Sequence, residues 1–164
     1  MTNRPPVGFI VEGHGEYNCF PSLFCRITNA SGLHVPRINA GGCGGIVKRI
    51  KEQLTDLFIA GNPLSVIITV DLEDVLKQRL ANNCVELLQD LNKAVTEWRL
   101  HAESDTRLHP LPDRIVCVLQ IIKFESWLLS DLDGLKQSGL VAADIEPIQD
   151  AEEIASPGEW LKDN

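Results

Sequence analysis

The chain has 164 residues, the size of one domain with room to bury a core, and its 44% apolar and 23% charged content excludes a disordered chain. The net charge of −8 sits almost wholly at one end: residues 1–130 carry 14 acids against 13 bases, and residues 131–164 carry nine acids against Lys136 and Lys162. A nearly neutral body with an acidic tail lacks the basic footprint of a tight autonomous nucleic-acid binder, and no apolar run approaches the roughly 18 residues of a membrane span.

Val7–Val11 is a continuous apolar run that predicts a buried strand, and its five residues are too few for the apolar core of a signal peptide. Phe20, Leu23, Phe24 and Ile27 then recur at helical spacing, with Asn18 as candidate N-cap and Pro21 in the first turn. Leu33–Ile38 predicts a second strand. Ile46, Val47, Ile50, Leu54 and Leu57 form the stripe of a second helix, closed by Gly61 and Pro63. Ser65–Val70 predicts a third strand, and Val85, Leu88, Leu91, Val95 and Trp98 a third helix. After a turn at 109–113 come a fourth strand over Arg114–Ile122 and a helix around Phe124–Leu135. Strict strand–helix alternation predicts an α/β fold: a mostly parallel four-stranded sheet with helices on both faces, in the Rossmann-like manner. That domain is expected over residues 5–138. Residues 139–164 read as a partly ordered acidic appendage, and the ending EWLKDN reads as cut short.

Cys19, Cys25, Cys43, Cys84 and Cys117 are odd in number, with no close pair and no zinc-like spacing, so reduced cysteines in a cytoplasmic protein are expected. Cys43 lies in a glycine loop, but no histidine partner marks it as a nucleophile.

Ligands of open α/β sheets bind beyond the carboxyl ends of the strands. Glu12 lies there after the first strand, in VEGHGE, and Asp71, Glu73 and Asp74 after the third, in VDLED. If the two strands are neighbours, their carboxylates repel, and a hard cation such as Mg²⁺ or Mn²⁺ relieves that repulsion. Glu12, Asp71 and Glu73 are therefore the candidate metal ligands. Glu16 and Asp74 are secondary candidates that also suit a turn or a cap. His14 stands between Gly13 and Gly15 and could touch metal or phosphate; Lys123 could neutralise a phosphate; Glu125 begins the last helix at the same edge. Asp131 reads as structural. Gly41–Gly45 leads into the second helix, whose amino end attracts phosphate, although the P-loop pattern is absent.

A VEG motif ending the first strand and an acid-x-acid motif ending a later one resemble the TOPRIM domain of topoisomerases, primases and overcoming-lysogenization-defect nucleases. VEGHGE followed by an amphipathic helix, then VDLED, then FESWLLSD after the last strand, resembles a bacterial TOPRIM-like family often encoded beside ATPases. Over residues 7–135 the resemblance implies Mg²⁺ as cofactor, Glu12 as ligand or general acid/base, and Asp71 and Glu73 as the acidic pair. Glutamate at 73 departs from the usual aspartate, which leaves Asp74 as the alternative, and Glu125 is implied as an outer or second-metal ligand. Three functions follow as expectations: a Mg²⁺-dependent nuclease-like domain acting on nucleic acid, a non-catalytic subunit docking on a partner ATPase, and a receiver-like phosphoacceptor centred on Asp71. Tyr17, the only tyrosine, gives no sign of a topoisomerase nucleophile, so hydrolysis is favoured.

Overall fold

A computed structural model describes residues 4–29, 34–121, 124–154 and 156–164. Among the described residues the chain forms a four-stranded, all-parallel sheet with seven α-helices. In chain order these are β1 (Val7–Val11), α1 (His14–Ile27), β2 (Arg37–Asn39), α2 (Cys43–Gly61), β3 (Ser65–Asp71), α3 (Leu72–Lys77), α4 (Cys84–Ala102), β4 (Arg114–Gln120), α5 (Phe124–Leu129), α6 (Leu132–Gln137) and α7 (Pro157–Asp163). The sheet order is β2-β1-β3-β4. The connections leaving β1 and β2 therefore run to opposite sides of β1, and the β1/β3 boundary is the topological switch point of the sheet.

The register sets Phe9 opposite Arg37 and Ile67, and Ile10 opposite Ile38 and Ile68. Because side chains alternate along a strand, Phe9 faces one side of the sheet and Ile10 the other. On the first side the Phe9 ring meets Phe20 and Phe24 of α1, at centroid distances of 5.6 and 6.3 Å. On the second, Ile10, Val66, Ile68 and Val70 are sealed by Ile46, Ile50, Leu54 and Leu57 of α2 and by Leu87, Leu91, Val95 and Trp98 of α4. Helices thus cover both faces, as the alternation predicted. Each fully buried leucine or isoleucine here contributes about 1.5–3 kcal/mol relative to exposure.

Several element boundaries differ from expectation. Helix α1 begins at His14, so Asn18 is not its cap and Pro21 lies in its interior. Gly13 supplies the cap position, and its N–H donates to Glu16 Oε2 at 3.1 Å. That is the reciprocal half of a capping box; glycine has no side chain for the other half. Leu23 and Ile27 are exposed, and Phe20 carries the buried contact. Among the described residues strand β2 starts at Arg37, because Pro36 has no N–H to donate to the ladder and its carbonyl accepts from Phe9 N at 3.0 Å; Leu33, expected within the strand, lies outside the described residues. The buried stripe of α4 runs through Leu87, Leu91, Val95, Trp98 and Ala102, and Val85 is exposed. The Asn83 side chain accepts from Glu86 N at 2.9 Å, caps the helix, and thereby sets which face turns inward. Strand β4 ends at Gln120; Ile122, expected within it, lies outside the described residues.

The chain divides into two compact units, residues 1–119 and 120–164, whereas the sequence placed a boundary after residue 138. In the second unit the helix expected around Phe124–Leu135 is two helices. They part at Asp131, whose carboxylate accepts from Gly134 N at 3.1 Å and caps α6. Leu129, Leu132, Leu135 and Val141 form this unit's own buried cluster, packed by Ile145, Ile148, Ile154 and Trp160 from the acidic tail. Among the described residues no helix is long and apolar enough to cross a membrane.

Candidate metal centre

Residue Glu12 follows β1 directly and Asp71 is the last residue of β3, so the switch point brings the two carboxylates to the same edge of neighbouring strands. Both are buried, at 7% and 8% exposure. The chain turns from β3 into α3 without a loop, so Asp71 stands at the N-cap position of that helix and Asp74 at its third residue. Residues three apart on a helix lie one above the other, while residues two apart point away from each other. Asp74 therefore turns toward Asp71 and Glu73 does not.

One carboxylate oxygen from each of Glu12, Asp71 and Asp74 lies within 4.8 Å of the other two. Oxygens sharing one octahedral Mg²⁺ at about 2.1 Å are about 3.0 Å apart when cis and about 4.2 Å when trans, so movements of roughly an ångström would seat all three on one hard cation. The donor set also fits: carboxylate oxygens alone, two of them buried and Asp74 half-buried, as a hard cation favours.

The electrostatics reflect the crowding. Burial, and then the charge of Asp71, hold the Glu12 carboxyl up at about 8, against an ordinary value of 4.5. The Asp71 N–H, which donates to Glu12 Oε1 at 3.2 Å, pulls the other way, and Asp74 and Glu16 add smaller upward pushes. A cation entering here would displace the proton that Glu12 holds at neutral pH.

The floor of the centre comes from the loop between β2 and α2. Ala40 N donates to the Val11 carbonyl and Gly42 N to the Glu12 carbonyl, each at 2.8 Å, so the loop is stitched to the end of β1. Gly41 and Gly42 take positive φ values of 72° and 105°, which side chains disfavour. A Cβ on Gly45 would collide with the carbonyl oxygen of Ala40. Cys43 opens α2 and is 1% exposed; burial and the nearby Glu12 charge push its thiol up, the opposite of what a thiolate nucleophile needs.

The remaining candidates lie as follows. Glu73 pairs with Lys77 one turn on, at 2.6 Å, and is not one of the three clustered acids. Glu16 is buried and spends its carboxylate on the cap of α1. His14 is exposed at the first position of α1. Glu125 lies in the second unit, in the first turn of α5, with its carboxylate beside Gly158. Lys123 lies outside the described residues. Sequence reasoning ranked Asp74 below Glu73. The signal for the reverse order was Leu72, Val75 and Leu76, whose helical spacing starts a helix immediately after Asp71.

A family model described as a domain of unknown function, DUF4276, matches residues 11–161. No curated protein and no solved structure matches the chain.

Proposed function

From the premise that the chain belongs to the DUF4276 family, whose description carries no activity, we propose that it is a Mg²⁺- or Mn²⁺-dependent, TOPRIM-like nuclease domain that hydrolyses phosphodiester bonds of nucleic acid. The observation that carries this reading is the clustering of Glu12, Asp71 and Asp74 within 4.8 Å at the switch point of the sheet. The ordered VEGHGE, VDLED and FESWLLSD motifs support it.

In this reading Glu12, Asp71 and Asp74 would hold the cation, which when bound would neutralise charge on the phosphate and lower the pKa of a coordinated water. The chain's own groups do the rest. Asp71 N–H fixes the Glu12 carboxyl in place, and the cap from Glu16 to Gly13 N fixes the turn that carries it. In the metal-free protein burial keeps a proton on Glu12 near neutral pH, so seating the cation there would release it. The near-neutral first unit supplies little long-range attraction for nucleic acid, so delivery by a partner protein, such as an ATPase, belongs to the proposal.

A second reading, a non-catalytic subunit that docks on an ATPase, draws on the same raised carboxyl, since a proton on Glu12 competes with metal at neutral pH.

The test is cleavage of labelled DNA and RNA with Mg²⁺ or Mn²⁺, paired with calorimetric metal titration. Glu12→Gln and Asp71→Asn should each lower cleavage by about 100-fold or more, and Asp74→Asn by at least about 10-fold. Glu73→Gln should change it by less than about 3-fold. Cleavage that survives Glu12→Gln and Asp71→Asn sinks the assignment. Metal-free wild type that binds an ATPase but no divalent cation turns it toward the docking subunit.

A further inference from the structure

Four of the eight arginines of the first unit spend N–H groups on the protein itself. Arg4 donates to the carbonyls of Asn62, Pro63 and Pro110, Arg49 to Ala40, Arg99 to Pro112, and Arg107 to Asp105. Arg37 does not. It is the first residue of β2 and is exposed, and among the described residues no carboxylate or carbonyl accepts from its guanidinium. Its guanidinium carbon sits 4.6 Å from the centroid of the Tyr17 ring. Beside the pair lies a cleft of about 290 Å³, lined also by His34, Val35, Pro36 and Ala60.

The ring contact takes up no N–H group, so the Arg37 guanidinium keeps its N–H donors for an oxyanion. The ring also fixes the long side chain, so less rotamer freedom is lost when the anion binds. His34 adds a second polar group on the wall of the same cleft. Arg37 is opposite Phe9, so its backbone lies about 10 Å by strand rise from Glu12, toward the amino ends of the strands. Tyr17 lies in the helix that follows Glu12.

We propose that Arg37, seated on Tyr17 with His34 on the same cleft wall, is a phosphate subsite that holds a nucleic-acid strand on its way to the carboxylate centre. The proposal rests on the nuclease reading of that centre, and it assigns to Arg37 the positioning of a neighbouring phosphate rather than a part in bond cleavage.

The experiment is fluorescence anisotropy of a labelled short single-stranded oligonucleotide, in EDTA, over a series of salt concentrations. Arg37→Ala and Arg37→Gln should each weaken binding by about 10-fold and lower the salt slope by about one, while Arg37→Lys recovers part of the affinity. Tyr17→Ala should weaken binding less than Arg37→Ala does, because the charge remains. Inorganic phosphate at matched ionic strength should compete only weakly; full displacement at low millimolar concentration would mark a free-phosphate site and overturn the strand assignment. Wild-type affinity and slope in both Arg37→Ala and Arg37→Gln, or no binding by wild type at low salt, would also overturn it. Calorimetry with Mg²⁺ separates the two levels: Arg37→Ala should keep wild-type metal affinity. An Arg37 effect in a protein that binds no Mg²⁺ would leave the subsite standing and remove the nuclease reading.

Discussion

Residue Glu12 shows how much one side chain's surroundings decide. Its chemistry as a candidate ligand was legible from its place after an apolar strand, but its proton affinity was not. That depends on burial and on Asp71, which is 59 positions away along the chain. The raised value has a consequence for stability. The unfolded carboxyl titrates near 4.5 and the folded one near 8, so the native state holds the extra proton between those values. The stabilisation linked to it is fully present below about pH 4.5 and is lost as pH rises through 8, with a total on the order of a few kcal/mol. Thermal unfolding of the metal-free protein should therefore show a Tm that falls as pH rises from about 5 to 9. Glu12→Gln should flatten that fall, and Mg²⁺ at pH 8 should raise the wild-type Tm while leaving the variant's nearly unchanged. A pH profile identical in wild type and variant would contradict the assigned environment.

At the scale of elements, periodicity located β1, α2 and β3 well, because each is a long or continuous apolar pattern with clear terminators. Short elements escaped it. Helix α3 has six residues, too few to establish a period, yet it decides whether Asp74 or Glu73 joins the centre. The break between α5 and α6 rests on the Asp131 cap, which a hydrophobic pattern does not register. The glycine loop before α2 was visible as composition, but its role depends on close approach. Gly42 bonds the Glu12 carbonyl, and Gly45 passes against the Ala40 carbonyl with no room for a Cβ. Gly45→Ala must shift the start of α2 or the end of β2, and a cost of about 1–3 kcal/mol is expected, measured by chemical denaturation. Gly139→Ala, strained by its φ of 70° but confined to the second unit, should not disturb divalent-metal affinity, whereas Gly45→Ala should lower it. Equal metal affinity in both variants would show that the loop does not support the centre.

For the whole molecule, the division into residues 1–119 and 120–164 sets an expectation for dynamics. The first unit buries β1 and β3 between two helical layers, with Ile10, Leu54, Leu57, Val66 and Ile68 all at 0% exposure. The second rests on a cluster of four buried residues, two of them at the margin with 9% exposure. Small cores give small opening free energies. Native-state hydrogen exchange should therefore find the slowest amides in β1, β3 and α2, and should find α6 and α7 opening at lower free energy. Uniform protection across both units would contradict this.

The sequence by itself determined the fold class and the acids to watch. Alternating apolar strands and amphipathic stripes admit few arrangements other than a parallel sheet sandwiched by helices, and an acid directly after a buried strand has to emerge at the sheet's carboxyl edge. Only the tertiary structure decided that β1 and β3 are neighbours, since strand order depends on which side of the sheet each crossover takes. It alone decided that Asp74 completes the cluster, since that follows from the start of α3, and that burial lifts Glu12 far above an ordinary carboxyl. Sequence proximity names candidates; the switch point of the sheet selects which of them share a site.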